Sequence, residues 1–224
     1  MSSEATGRQY ETHTATNSLV RWAGPIGVAG PVVFWVVSLA LGFVVPGYSA
    51  IHNFVSGLSA VGAPHAFVAR LNLYIWGVSL VVLALGIHAW SRRGRRPLLG
   101  VVVLAAVGVG IIGAGFFQYN PQELAALSTR GHEISTRVVL FSVLLGIPLT
   151  SWHLERDERW PGLTGVGVAV LLVASIVVYM RSIPTYPTGV AGLTQRIWFG
   201  VMTGWQAYYA FTLYRLSRSD GPAS

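Results

Sequence analysis

Chemistry in this chain must come from a small set of side chains. The 224 residues include eight carboxylates, six histidines and fifteen cations, every cation an arginine, and no cysteine. Glu4, Glu11 and Asp220 lie in polar end segments. Glu155, Asp157 and Glu158 sit among arginines in ERDER, where solvated ion pairs are expected. Two carboxylates remain, Glu123 and Glu133, in the stretch FFQYNPQELAALSTRGHE with Asn120, Arg130 and His132. A glutamic acid whose pKa is raised by burial, beside a histidine that takes or orients a proton, makes an acid–base pair. Arginines close by lower the cost of an anion.

Two further polar concentrations interrupt the apolar sequence. HNFVSGLSAVGAPHAFVARLN, residues 52–72, holds His52, His65, Arg70 and Asn72. RSIPTYPTGVAGLTQR, residues 181–196, holds Arg181, Tyr186, Gln195 and Arg196. Polar groups at such places are costly unless partnered, so they are the first candidates for function. The plain alternative is a wet loop surface with rim salt bridges. Three histidines and a glutamate could ligate zinc, but no HExxH or His-x-His spacing is present, and no metal is assigned. His88 and His153 fall at the ends of apolar runs, where a helix C-terminus favours a cation.

The elements that position these residues are read from the apolar blocks. With 53% hydrophobic and 10% charged residues and a mean hydropathy of +0.56, the composition is that of a polytopic membrane protein. Blocks of about 20 residues match the ~30 Å hydrocarbon layer. The expected fold is all-α, an integral membrane bundle of six transmembrane helices near residues 23–45, 67–90, 97–117, 134–153, 162–180 and 193–216. Residues 1–22 are expected to be a disordered cytoplasmic tail, 23–216 the membrane domain and 217–224 a C-terminal tail. Pro25 and Pro31 are placed in or near the first turns of the first span, and Pro148 should bend the fourth. Small residues in the third span, Gly100, Ala105, Gly108 and Gly115 among them, suit tight helix contact.

Arginines set the orientation. Arg8 and Arg21, Arg92 to Arg96 of SRRGRR, Arg156 and Arg159, and Arg215 and Arg218 all fall on the side of the chain ends. The positive-inside bias then puts both termini in the cytoplasm of a multi-pass cell-membrane protein, with all three polar concentrations on the opposite face. Arg70, Arg137 and Arg196 each open an even-numbered span there, which suggests three repeated helical hairpins. In the last span Trp198, Trp205 and Tyr209 fall at i, i+7 and i+11, one helical face that can wall a hydrocarbon or simply pack.

Three pieces of sequence together resemble a known family: HNFVSGLSAVGAPHAFVARLN, GAGFFQYNP followed by Gly131 and His132, and GLTQRIWFG. The chain resembles the bacterial and archaeal membrane proteins known as domain of unknown function 998 over roughly residues 25–216. Where family members often carry an acid before the proline of the second piece, this chain has Asn120. The resemblance implies a six-span helical fold and brings no agreed reaction.

The expected function is a small membrane enzyme acting on a hydrophobic lipid-like or isoprenoid substrate. Glu123 or Glu133 would be the protonating acid and His132 or His52 the base or orienting group. Trp198, Trp205 and Tyr209 would wall a carbocation, with terpene cyclisation as the concrete form. Arg70, Asn72, Asn120, Arg137 and Arg196 would hold the polar end of the substrate. The alternative is a non-catalytic carrier or binding protein for a lipid or small anionic solute, held by the three arginines. A zinc-dependent lipid hydrolase is a weaker one. Membrane lipids and a hydrophobic small molecule are the expected partners; no nucleic acid and no cofactor is expected, since nucleotide loops and dinucleotide fingerprints are lacking.

Overall fold

The computed structural model describes residues 2–91, 98–160 and 165–219, with side chains described from Ser18 onward. Arg92, Arg93, Arg95 and Arg96, on which much of the orientation argument rests, lie outside the described residues. Among the described residues six α-helices and no strand occur: α1 (Ser2–Val44), α2 (Ala66–Trp90), α3 (Leu98–Phe116), α4 (Leu127–Leu154), α5 (Gly165–Ser182) and α6 (Ala191–Ser219). Single 3-10 turns interrupt the connections at Val55–Ser59 and Ile183–Thr185. Segments of α1 to α5 are each long and apolar enough to cross a membrane, which makes this a multi-pass membrane protein.

Each helix packs on its neighbours in chain order, and α6 returns to α1, so the six form a closed ring. Glycines set the close contacts. A Cβ on Gly77 of α2 would lie 2.6 Å from the Gly108 carbonyl of α3, and one on Gly108 would lie 2.5 Å from the Gly77 carbonyl. Gly100 meets Thr150 of α4 and Gly115 meets Tyr74 of α2 as tightly, so small residues expected to pack do so.

The polar stretch 2–22 is continuous with α1. Its Glu, Ala, Arg and Gln residues are good helix formers, which a reading by hydropathy ignores. Pro25 and Pro31 are therefore interior to α1, not in its first turns. Similarly α4 begins at Leu127, several residues before the apolar block, because a helix can project past the lipid with polar side chains.

Pro31 has no N–H for the carbonyl of Gly27, four residues back. The Gln206 carboxamide of α6 fills that role, donating from Nε2 to the Gly27 oxygen at 3.1 Å and to Ser79 Oγ at 2.9 Å. Its Oε1 accepts from Trp76 Nε1 at 2.9 Å. One fully buried glutamine thus ties α1, α2 and α6 together. Other polar residues of α6 follow the same pattern. Thr203 accepts from Trp35 of α1 at 2.9 Å, Thr194 meets Ser182 of α5 at 2.6 Å, and Trp205 donates to Ser151 of α4 at 2.8 Å. These polar groups of α6 are inward and partnered, although the Trp198 Nε1 on the same helix is buried without a partner.

Candidate functional site

Connections after α1, α3 and α5 close one pole of the ring, here the distal pole; the chain ends mark the terminal pole. The first connection is a strap laid across the distal pole. At one end it docks on α6: the Leu193 N–H donates to the Ile51 carbonyl at 3.0 Å, and the Val55 N–H donates to Gln195 Oε1 at 2.7 Å. Gly192 sits so close that a Cβ there would meet the Asn53 carbonyl at 2.3 Å. At the other end the Val61 N–H reaches the Tyr119 carbonyl at 2.9 Å, and Gln118 donates to the Ser59 carbonyl at 3.2 Å.

Arg196 is the strap's anchor. Its Nη1 donates to the carbonyls of Ala50, Gly192 and Asn53 at 2.7, 2.9 and 3.0 Å, and its Nη2 to Tyr48 Oη at 2.5 Å. Burial pushes the Tyr48 phenol above its ordinary pKa, against the opposing pull of the guanidinium. His52 lies on the same side, its Nδ1 hydrogen-bonded to the Gly189 carbonyl at 2.6 Å. Phe54 stacks on Tyr186 with centroids 4.6 Å apart.

Across the pole, His132 caps the end of α3. Its Nδ1 bonds the carbonyls of Ala114 and Phe117 at 2.9 and 3.0 Å, which requires a proton on Nδ1 and leaves Nε2 as the basic nitrogen of the neutral ring. Arg70 Nε donates to the Gly115 carbonyl at 2.8 Å, and its Nη2 to Tyr74 Oη at 3.2 Å. Asn120 closes a turn, its Oδ1 accepting the Gln122 N–H at 3.1 Å. Aspartate makes that turn as readily, so the residue seen there need not be an acid–base group.

The three arginines expected to converge have three different sets of partners. Arg137 pairs with Glu133 one turn back at 3.0 Å, with side chains 62% and 45% exposed. Glu123 is also exposed. Neither glutamate is buried. Asn72 is buried against α1, donating from Nδ2 to the Phe34 carbonyl and to Ser38 Oγ, both at 3.1 Å; its Oδ1 is buried and unpartnered.

The aromatic face of α6 points inward as expected, and it is filled. Trp198 stacks on Tyr179 at 5.4 Å, Trp205 on Tyr209 at 4.6 Å, and Tyr209 on Trp160 at 5.6 Å. Among the described residues no three His, Asp or Glu side chains gather closely enough to hold a metal ion. A groove of about 320 Å³ opens between α1 and α2, lined by Ile26, Ala29, Tyr74, Ile75 and Val78 with Gly30 and Ser79.

Sequence reasoning passed over one residue. Glu155 is half-buried: its Oε1 is withdrawn from solvent and has no hydrogen-bond partner. Its neighbour Asp157 does form the expected pair, with Arg159 at 2.7 Å, which holds that carboxyl below its ordinary pKa. The available signal was spacing: Ser151 and Glu155 lie one turn apart on α4, as Trp205 and Tyr209 do on α6.

Fold and site together define a membrane-embedded helical ring, one pole of which is closed by interlocked polar segments. The chain belongs to the family described as Protein of unknown function (DUF998), which matches it over residues 28–212. The strap, the Gly131-His132 corner and the start of α6, which carry that resemblance, are the segments that lock together. No curated protein and no solved structure matches the chain.

Proposed function

We propose that this protein is a six-span membrane protein that binds a lipid-like molecule along its α1–α2 face, with both termini in the cytoplasm. The observation that carries the reading is the apolar groove between those helices, with Tyr74 in its wall and Arg70 hydrogen-bonded to Tyr74. The groove residues of α2 start one turn past Arg70, and Val78 lies about 12 Å along the helix from it. A hydrocarbon chain in the groove would bring an anionic or polar head to the guanidinium at the rim. The six-span reading is supported by the length of α6, about 43 Å for its 29 residues, and by its inward, partnered polar groups.

Lipid extraction of the detergent-purified protein, followed by mass spectrometry, tests this reading. Ala29→Leu with Val78→Phe fills the groove from its lipid side and should remove most of the co-purifying lipid, while Arg70→Gln should deplete anionic species selectively. Lipid retained in full by the groove-filled variant rules the reading out.

An enzymatic reading keeps one specific support, the buried His132 ring with Nδ1 fixed and Nε2 basic. In the isoprenoid-cyclising form Glu123 or Glu133 must be withdrawn from water when substrate binds. A Glu123→Gln, Glu133→Gln double variant that leaves the terpenoid profile of expressing cells unchanged removes it.

A further inference from the structure

Near the terminal pole two arginines flank the seam between α1 and α6. Gly24 of α1 packs directly on α6: a Cβ there would lie 2.6 Å from Tyr214 Cβ and 2.9 Å from the Ala210 carbonyl. The neighbouring Ala23 faces Gly86 of α2 instead. At about 100° per residue, Arg21, three residues before Gly24, falls on the flank of α1 turned away from α2. Arg218 lies one turn past Tyr214 and is held over it. Its Nη1 donates to Tyr214 Oη at 2.8 Å, and its guanidinium carbon is 5.7 Å from the ring centre. Leu213, beside Tyr214, turns the other way, toward Gly86 of α2. Both arginines thus lie on the outer side of one seam, about a turn beyond the same helix contact. Both are exposed, and among the described residues neither has a carboxylate partner. Trp22, 59% exposed beside Arg21, marks the level of the membrane boundary. Phe211 and, deeper, Gly204 and Gly200 follow Arg218 on the same side of α6. Phe211 is 52% exposed, and a Cβ on either glycine would meet nothing within 4 Å.

We propose that Arg21 and Arg218 hold the phosphate of an anionic phospholipid from the leaflet on the terminal side. Two exposed cations set along one seam repel each other, and an anion between them relieves that repulsion. A guanidinium presents its N–H donors in a planar fork that suits phosphate oxygens. The bond to Tyr214 uses one donor of Arg218, sets its direction and leaves the others for a ligand. The surroundings favour a membrane lipid as the source of that phosphate. Trp22 puts the pair at headgroup depth, and the α6 surface beneath is apolar and, at its two glycines, open to an acyl chain. Net charge then chooses among lipids. A zwitterionic headgroup would bring its own ammonium to two arginines with no acid beside them, whereas phosphatidylglycerol brings only negative charge. This site lies at the pole opposite the strap, on a different pair of helices from the α1–α2 groove, and does not depend on that groove.

The chain has no cysteine, so Phe211→Cys labelled with bimane places one reporter about 10 Å below Arg218 along α6. The full chain is reconstituted in phosphatidylcholine bilayers doped with phosphatidylglycerol or phosphatidylcholine that carries a nitroxide high on its acyl chain. Quenching is compared at equal mole fraction. The spin-labelled phosphatidylglycerol should be enriched at the reporter about tenfold, and unlabelled phosphatidylglycerol should reverse the excess. Arg21→Gln with Arg218→Gln should bring quenching down to the phosphatidylcholine level. Arg156→Gln, which removes an exposed arginine of α4 at the same pole, should leave the excess in place, and so should added inorganic phosphate. Equal quenching by the two lipids overturns the inference, as does an excess that survives the double substitution. Loss of the excess in Arg156→Gln, or displacement by inorganic phosphate, overturns it too. Should the double variant fail to fold, the two lipids and the unlabelled competitor on the native arginines decide alone. Because the reporter sits at the α1–α6 seam, Arg70→Gln should not change its quenching, and failure of the groove reading is thereby told apart from failure of this one.

Discussion

Replacement of Gln206 by leucine probes how the ring is held together. The carboxamide is fully buried and makes three hydrogen bonds, to Trp76, Ser79 and the Gly27 carbonyl. Interhelical hydrogen bonds in membrane proteins average about 0.6 kcal/mol, so three contribute about 2 kcal/mol. Leucine also leaves the Trp76 indole N–H and the Gly27 carbonyl buried and unpaired, and such groups cost about 1–3 kcal/mol each. The two estimates overlap, and the expected loss is about 2–5 kcal/mol. Pro31 supplies the sharper test. Alanine at 31 regains an N–H able to bond the Gly27 carbonyl within α1, so the cost of Gln206→Leu should fall by about 1 kcal/mol in a Pro31→Ala background. Reversible unfolding in mixed micelles with added sodium dodecyl sulfate, followed by tryptophan fluorescence, gives all four stabilities of the cycle. A loss under about 0.5 kcal/mol for Gln206→Leu, or one that is the same in both backgrounds, would refute the reasoning.

Other outcomes follow from the distal pole. Arg196→Gln releases the strap, and amide exchange over residues 48–55 should rise about tenfold or more, since several charge-assisted bonds are lost; unchanged exchange contradicts the anchoring role. The Tyr48 phenol has a raised pKa, so its neutral form favours the fold: this contribution is complete below about pH 10 and is lost as pH rises through the folded value. Melting temperature should therefore fall more steeply above pH 10 in the wild type than in Tyr48→Phe, and parallel curves count against it. The exposed Glu133–Arg137 pair should matter little, with Glu133→Gln changing stability by less than about 0.5 kcal/mol in the same micelle assay. Because the chain has no cysteine, single cysteines report sidedness cleanly. Glu123→Cys should react with an impermeant maleimide in intact cells and Glu158→Cys only after permeabilisation; the reverse pattern inverts the proposed topology.

Length and apolarity made the membrane helices legible, because crossing hydrocarbon imposes both. Polar helical extensions were not: the first turns of α4 and the stretch before residue 18 of α1 read as loop or tail because hydropathy does not report helicity. The grouping of 52–72, 116–133 and 181–196 at one pole followed from counting helices. What their charged groups do there did not, because an arginine beside a turn meets carbonyls as readily as carboxylates, and only coordinates show that Arg196 faces Ala50 and Asn53. The bond from Gln206 to the carbonyl freed by Pro31 was hidden for a related reason. Sequence reveals that a carbonyl is left over, but not which helix lies next to it. Glu155 was misread because ERDER contains its own charge partners, and the end of α4 turns the first of those acids away from the others.

The partnered polarity of α6 bears on how such a chain enters a bilayer. Gln195, Thr203 and Gln206 find their partners on the first connection and on α1, α2 and α5, all of which precede α6 in the chain. A nascent α6 that met lipid by itself would expose these groups to hydrocarbon, while one delivered to an already assembled α1–α5 arc would find each of them a receptor. On the six-span reading proposed above, biogenesis is sequential: the five apolar helices insert on their own hydrophobicity, and the sixth is admitted by the others. Its entry closes the ring, so a chain stalled before Ala191 would remain an open arc, a form that membrane quality control can distinguish from the finished protein.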